Sequence, residues 1–257
     1  MSIESASLGK PLTQRLLLLV SPAHIGIGPF VAAMMLLAVV LLTIFSPFIA
    51  THDPLAMDPL MRLKPASQDH ILGTDGFGRD LFSRMILGGR ISLLIGICAA
   101  VVALVFGILI GLVAGYFRLA DAIIMRAMDA LMAMPSILIA IGLVALNGPS
   151  IGSVIVAITI PEVPRVVRLV RSVVLTAREE PYVEAATALG SSTPKILFQH
   201  LLPNTMAPMI VQGTYIVASA ILTEALLSFL GAGISTEIPT WGNIMAEGRQ
   251  YFRINPG

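Results

Sequence analysis

Two stretches of this chain, residues 29–50 and 91–115, contain no charged side chain. A helix needs ~20 apolar residues to cross ~30 Å of hydrocarbon, and each stretch supplies them. In lipid every backbone N–H and C=O must be satisfied within the segment, so such runs are read as membrane-spanning helices. Composition argues against a soluble core. Of 257 residues 56% are hydrophobic, only 12% are charged, and the mean hydropathy is +0.89, whereas ordinary globular chains carry roughly 25% charged residues. The expected fold class is an all-α membrane protein, a polytopic helical bundle. The N-terminus does not read as a signal peptide. Its apolar run at 16–20, behind Lys10 and Arg15, is short, lacks a small-residue cleavage site and is broken by Pro22 and His24. It reads as a cytoplasmic or interfacial lead-in.

Five spans are expected in all. In the second, 91–115, Gly107, Gly111 and Gly115 lie four residues apart on one face. Small residues so placed let two helix backbones approach closely, within the protein or against a partner. The third, 127–146, opens with Arg126 and Asp129, spaced to meet on one face. Pro135 should kink it, and Met125, Met128, Met132 and Met134 cluster around it as core filler or path lining. The fourth starts at Ile151 and is expected to break at Pro161, Glu162 and Pro164. Arg165, Arg168 and Arg171 then follow at helical spacing and are expected to face headgroups or water. The fifth, 205–230, contains Glu224; a carboxyl there is costly unless neutralised or paired, which makes it a candidate intramembrane polar site. Between the first two spans, residues 51–90 carry five basic and five acidic side chains and turn signals at Gly73, Gly76 and Gly78. They read as a water-exposed loop, with Asp75, Arg79, Asp80, Arg84 and Arg90 pairing at the surface.

Residues 181–203, PYVEAATALGSSTPKILFQHLLP, are polar enough to fold as a device in water. Pro181 suits a first helical turn, with Glu179 and Glu180 at the positive end of the helix dipole. Ala185, Ala186 and Ala188 favour helix and leave a low-relief face. Gly190 is suited to the left-handed C′ position that ends the helix. Ser192 or Thr193 as N-cap with Pro194 at the first turn predicts a second short helix, stopping near Pro203.

Within this stretch Glu184, Ala185, Ala186 and Gly190, followed by Leu202 and Pro203, resemble the EAA loop of permease subunits in ABC importers. The family's isoleucine ten residues after the glycine is here His200. Residues 70–93, HILGTDGFGRDLFSRMILGGRISL, resemble the signature preceding the second span in C-type permeases of the dipeptide, oligopeptide and nickel importers. TEALLSFLGAG and the later IPTWGNIMAEGRQYF, with Trp241, resemble the end of that family's fifth helix and the external segment after it. The resemblance implies a type I ABC importer permease fold in a bacterial inner membrane. It implies a lead-in, first span and extracytoplasmic loop over 1–90, then a core permease domain over 91–257 with a cytoplasmic coupling loop at 178–203. It also implies partners: a second, related permease in a heterodimer, two ATP-binding cassette subunits carrying ATP and Mg, an extracytoplasmic solute-binding protein, and membrane lipid. A sixth span is expected by resemblance and absent from this chain, which reads as truncated or incomplete.

No cofactor is expected on this chain. Its lysines, Lys10, Lys64 and Lys195, end no GxxxxGK[ST] phosphate loop, so ATP work falls to another polypeptide. His24, His52, His70 and His200 show no metal-ligand spacing; His52 with Asp53, and Asp69 with His70, read as turn pairs rather than metal ligands. Cys98 is the only cysteine and reads as a small core residue. No GxSxG nucleophile elbow is present, a net charge of +1 suggests no nucleic-acid partner, and the chain reads as a transport subunit rather than an enzyme. The alternative is a secondary transporter or channel coupled to an ion gradient through Glu224. With the N-terminus inside, nine basic residues fall inside and seven outside, a slight bias in the same direction as the EAA resemblance.

Overall fold

A computed structural model describes residues 26–251. The N-terminal lead-in, with Lys10, Arg15, Pro22 and His24, lies outside the described residues. One compact unit ends at Ile49 and a second runs from Ala50 onward. The polar stretch 51–90 therefore groups with the helices that follow it, where the sequence reading placed it with the first span. Local bonds account for this: the His52 N–H donates to Ser83 Oγ at 3.1 Å, and Leu63 N–H to the Asp75 carbonyl at 3.1 Å.

The first unit holds helices α1 (Ile27–Ile44) and α2 (Ser46–Ile49). The second begins with a 3-10 turn, Pro59–Met61, and continues with α3 (Leu81–Tyr116). Asp80 caps α3 by accepting from the Ser83 N–H at 2.8 Å, so the helix starts well before the apolar run at 91. It is followed by α4 (Arg118–Met132), α5 (Ser136–Asn147) and α6 (Ile151–Ala177). Then come α7 (Pro181–Ala188), α8 (Thr193–Lys195), a π-helical turn (Ile196–Leu201), α9 (Leu202–Phe229) and α10 (Trp241–Tyr251). No strand occurs among the described residues.

Among the described residues, three helical runs are long and apolar enough to cross a membrane by length and composition: α1, α3 and Thr193–Phe229; α4 and α5 make a fourth if the bent pair is one span. The remaining expected span falls on helix α6, which at 27 residues is long enough but carries Glu162, Arg165, Arg168 and Arg171. The expected kink at Pro135 is a full break, with α4 and α5 meeting at 86°. Pro135 lacks an N–H, and its ring pushes the preceding residue out of the helical region. By contrast α6 runs through Pro161 and Pro164, where the sequence predicted a break.

The reason α6 stays continuous is its seam with α3. Gly107, Gly111 and Gly115 lie against Val166, Val170 and Val174, so closely that a Cβ added at any of the three glycines would overlap the facing valine Cβ. The glycine face is thus buried within the chain, and its valine partners, all fully buried, join the core that also takes in Val183, Ile196, Leu197 and Leu201. A second core gathers Ile95, Ala99, Ala140, Val144, Val154, Ala220 and Leu227.

Candidate functional sites in the second unit

Pro181 opens α7 in its first turn, and the helix ends in a Schellman motif around Gly190. Gly190 N–H donates to the Thr187 carbonyl at 2.9 Å and Ser191 N–H to the Ala186 carbonyl at 3.0 Å. Gly190 has φ +77° and nothing within 4 Å of where a Cβ would stand, so the backbone conformation alone calls for glycine. Ser192 takes the N-cap position of α8, without a side-chain capping bond. The second helix does not stop near Pro203. It passes through the π turn into α9, with Pro203 in the first turn of α9, where the missing N–H is tolerated.

Helix α7 is anchored from one side only. Val183 and Ala186 are buried, Val183 in the core shared with the π turn, and the Asn204 side-chain amide donates to the Tyr182 hydroxyl at 2.9 Å. Glu184, Ala185, Thr187, Ala188 and Gly190 face outward, and Leu189 at the tip is 86% exposed. Leu202 is half-buried and Pro203 exposed. The result is a firmly rooted short helix with a small-residue outer face and one projecting leucine.

Glu224 is 0% exposed. Its Oε1 accepts from Ser228 Oγ at 2.9 Å and from Thr240 Oγ1 at 2.8 Å. Thr240 Oγ1 in turn accepts from the Asn243 N–H at 3.0 Å, and a Cβ at Gly242 would stand 2.7 Å from Ala225 Cα. Through this carboxyl the start of α10 is fastened directly onto α9.

Of the charges expected at the surface in 70–90, Arg90 is exposed and the other four are not. Asp75, Arg79, Asp80 and Arg84 are all buried, Arg84 completely. Arg79 Nε donates to Asp75 Oδ2 at 2.6 Å and Arg79 Nη2 to Glu247 Oε2 of α10 at 2.9 Å. Arg84 approaches Asp75 Oδ2 at 3.4 Å and Glu247 Oε1 at 3.3 Å. Trp241 Nε1 donates to the Met85 carbonyl at 3.0 Å, adding a second clamp between α10 and α3. Glu247 was missed in the sequence reading, because 168 residues separate it from Arg79.

The chain also brings His52, His70 and Asp80 together, with one donor atom from each within 4.8 Å of the others. All three have protein partners. His70 Nδ1 and Asp80 Oδ1 share a hydrogen bond at 2.9 Å, and His52 Nδ1 lies 3.1 Å from Thr51 Oγ1. Burial opposes ionisation of Asp80, but hydrogen bonds from Ser83 and His70 together outweigh it and hold the carboxyl below its usual value.

Of the α6 arginines, Arg165 and Arg168 are exposed as expected and Arg171 is half-buried, but the partner of Asp129 differs from expectation. Asp129 meets Arg168 at 2.6 Å rather than Arg126, Asp121 accepts from Arg171 Nη2 at 2.7 Å, and Glu162 accepts from Arg165 at 2.7 Å. Both α4 carboxylates thus reach across to α6. The i,i+3 spacing of Arg126 and Asp129 allowed a pair on α4, and packing supplied a different partner. Of the clustered methionines, Met125 and Met128 are half-buried while Met132 and Met134 are exposed. Cys98 is half-buried.

Residues 103–252 match the family described as binding-protein-dependent transport system inner membrane component. The chain belongs to that family. It is 52% identical over 204 residues to the probable peptide ABC transporter permease protein y4tQ of Sinorhizobium fredii, covering 79% of this chain and 70% of that protein. It is 44% identical over 218 residues to the dipeptide transport system permease protein DppC of Alkalihalophilus pseudofirmus, covering 84% of this chain and 72% of that one. It is 37% identical over 219 residues to the oligopeptide transport system permease protein OppC of Bacillus subtilis, covering 85% and 72%. These relatives are transport permease subunits. This chain is accordingly a multi-pass inner-membrane permease subunit of an ABC importer.

Proposed function

We propose that this permease carries small peptides and is driven through the Pro181–Gly190 corner by ATP-binding cassette subunits on separate chains. The observation that supports the cargo class is the similarity to peptide permeases over 79–85% of the chain. The geometry that supports the drive is an anchored helix whose outward face consists of Glu184, Ala185, Ala188 and the exposed Leu189. Force applied to such a knob passes through Val183 and the π turn into α9 without bending a loop. Ala186 lies beneath the contact, and Leu202 and Pro203 make the junction with α9. In this reading the partners are a second, related permease, two ATPase subunits and an extracytoplasmic solute-binding protein. ATP and Mg2+ reside on the ATPases and this chain holds no cofactor. Glu224 serves as a structural tie, and the glycine face of α3 as a packing seam.

Replacing Gly190 with valine tests the corner. A β-branched residue at φ +77° carries backbone strain of about 1–3 kcal/mol, and nothing lies within 4 Å for it to strike. Peptide uptake is expected to collapse while the subunit still inserts and assembles with its ATPases. Normal uptake by an intact G190V complex would refute the coupling role. Uptake that survives ATP depletion but stops when ion gradients are collapsed would instead select a secondary transporter.

A further inference from the structure

Between α5, α6 and α9 lies a polar cavity of ≈110 Å3, set among apolar helix faces. Ser136 lines it from α5, Glu162 and Arg165 from α6, and Tyr215, Ser219 and Thr223 from α9. The last three are four residues apart and so present one face. Glu162 is only 6% exposed. Its Oε1 accepts from Arg165 at 2.7 Å, while Oε2 is buried and has no hydrogen-bond partner among the described residues. The same helix offers a second acceptor without its usual helical donor. Pro161 has no N–H to give to the carbonyl of Ala157, and both residues line the same cavity. An unpaired carboxylate oxygen in a helical bundle is costly and marks a place where something else supplies the donor.

A small, donor-rich cation fits this gap, because it satisfies several acceptors at once. A primary ammonium has three N–H donors, enough for Glu162 Oε2, the Ala157 carbonyl and one hydroxyl of the α9 stripe. The cavity has room for such a head group and its first carbon with a water, each water taking roughly 30 Å3. Arg165, whose side chain is 40% exposed, stands at the rim with donors left over for a carboxylate on the same molecule. The arrangement is complementary to a zwitterion.

We infer that Glu162, with the Ala157 carbonyl and the hydroxyls of Ser219 and Thr223, forms a transient binding site for the α-ammonium group of the peptide as it passes through the bundle. The identity of the cargo rests on the peptide reading above; the ammonium site itself does not. Weak, partial complementarity suits a way-station, because a site that held the whole peptide would slow its release.

Two measurements on the assembled importer test this. In the first, the melting temperature of the detergent-solubilised complex is compared in ethylammonium chloride and in sodium chloride at equal ionic strength. Wild type should be stabilised by ethylammonium and E162Q should not; equal melting in the two salts for wild type, or an equal ethylammonium shift in E162Q, overturns the site. In the second, proteoliposomes with the cognate binding protein take up a mixed dipeptide pool, read by mass spectrometry. E162Q should lower the maximal uptake rate about tenfold in the assembled complex, and E162D should restore part of it. Should E162Q fail to assemble, T223V, which keeps the side-chain shape, carries both tests with a several-fold loss expected. Unchanged uptake in the assembled variant overturns the inference alone. A wild-type importer that moves no dipeptide, yet is stabilised by ethylammonium, overturns the peptide reading and leaves the ammonium site standing.

Discussion

Substituting valine for Gly111 puts the packing argument for the α3–α6 seam to a quantitative test. A Cβ at Gly111 would stand 2.6 Å from Val170 Cβ, 2.9 Å from its Cγ1 and 3.0 Å from the Val167 carbonyl oxygen. Carbon atoms pack best at ~3.5–4.0 Å, so the two helices must part by about 1 Å or distort. Overpacking of this kind costs ~1–3 kcal/mol, and the clash here involves backbone as well as side chain, which places it toward the upper end. Valine offsets only a few tenths of a kcal/mol through its better helix preference relative to glycine. A net loss of ~2–3 kcal/mol corresponds to a fall in melting temperature of roughly 4–12 °C for a chain of this size. The assay is thermal unfolding of the purified permease followed by size-exclusion chromatography. Two controls sharpen it. Gly142 is also helical but has nothing within 4 Å of the point a Cβ would occupy, so G142V should be nearly neutral. The exchanged pair, G111V with V170G, moves the bulk across the seam and should recover about half the loss or more. If G111V melts with the parent protein, or G142V falls as far, close glycine packing is not what holds these helices together.

Two further outcomes follow from the polar residues. The Asp80 carboxyl is held below its usual value by its hydrogen bonds to Ser83 and His70. It therefore adds stability that is fully present above the unfolded-state value of ~3.9 and is lost as pH falls through the lower folded value. D80N keeps a capping oxygen but cannot titrate; hydrogen exchange over residues 70–84 should accelerate in strong acid in the wild type and show less pH dependence in the variant, and identical profiles would refute the assignment. Glu247→Ala leaves the fully buried Arg84 with Asp75, at 3.4 Å, as its one acidic neighbour among the described residues. Breaking a buried pair costs ~3–5 kcal/mol, so α10 should become protease-sensitive around Arg249, and unchanged digestion would show that the cluster does not hold it.

The corner at Gly190 was legible because its determinants are local. Pro181 at a helix start, a run of alanines and a glycine at the left-handed cap act over a few residues, and the observed φ of +77° matches them. Pro203 misled for the opposite reason: whether a proline stops a helix depends on what precedes it, and here a π turn leads into a new first turn that accommodates the ring. Pro161 and Pro164 likewise remain inside α6 because the valine ridge on that helix is held against the glycines of α3. Charge placement was the least legible. Asp129 had an apparent partner three residues away in Arg126 and took Arg168 instead, across 39 residues.

What the sequence determined by itself is the class of structure. Long uncharged runs in lipid must satisfy their own backbone groups, and only helices do so within one segment. The residues that cap and corner those helices act at short range and can be read in order. Tertiary structure alone decided which faces meet and which charges are neutralised: the glycines of α3 against Val166, Val170 and Val174, and Arg84 with Glu247. It also decided that one oxygen of Glu162 is left over. Those outcomes depend on which distant side chain packing brings within a hydrogen bond, and burial sets the cost of a charge that finds none.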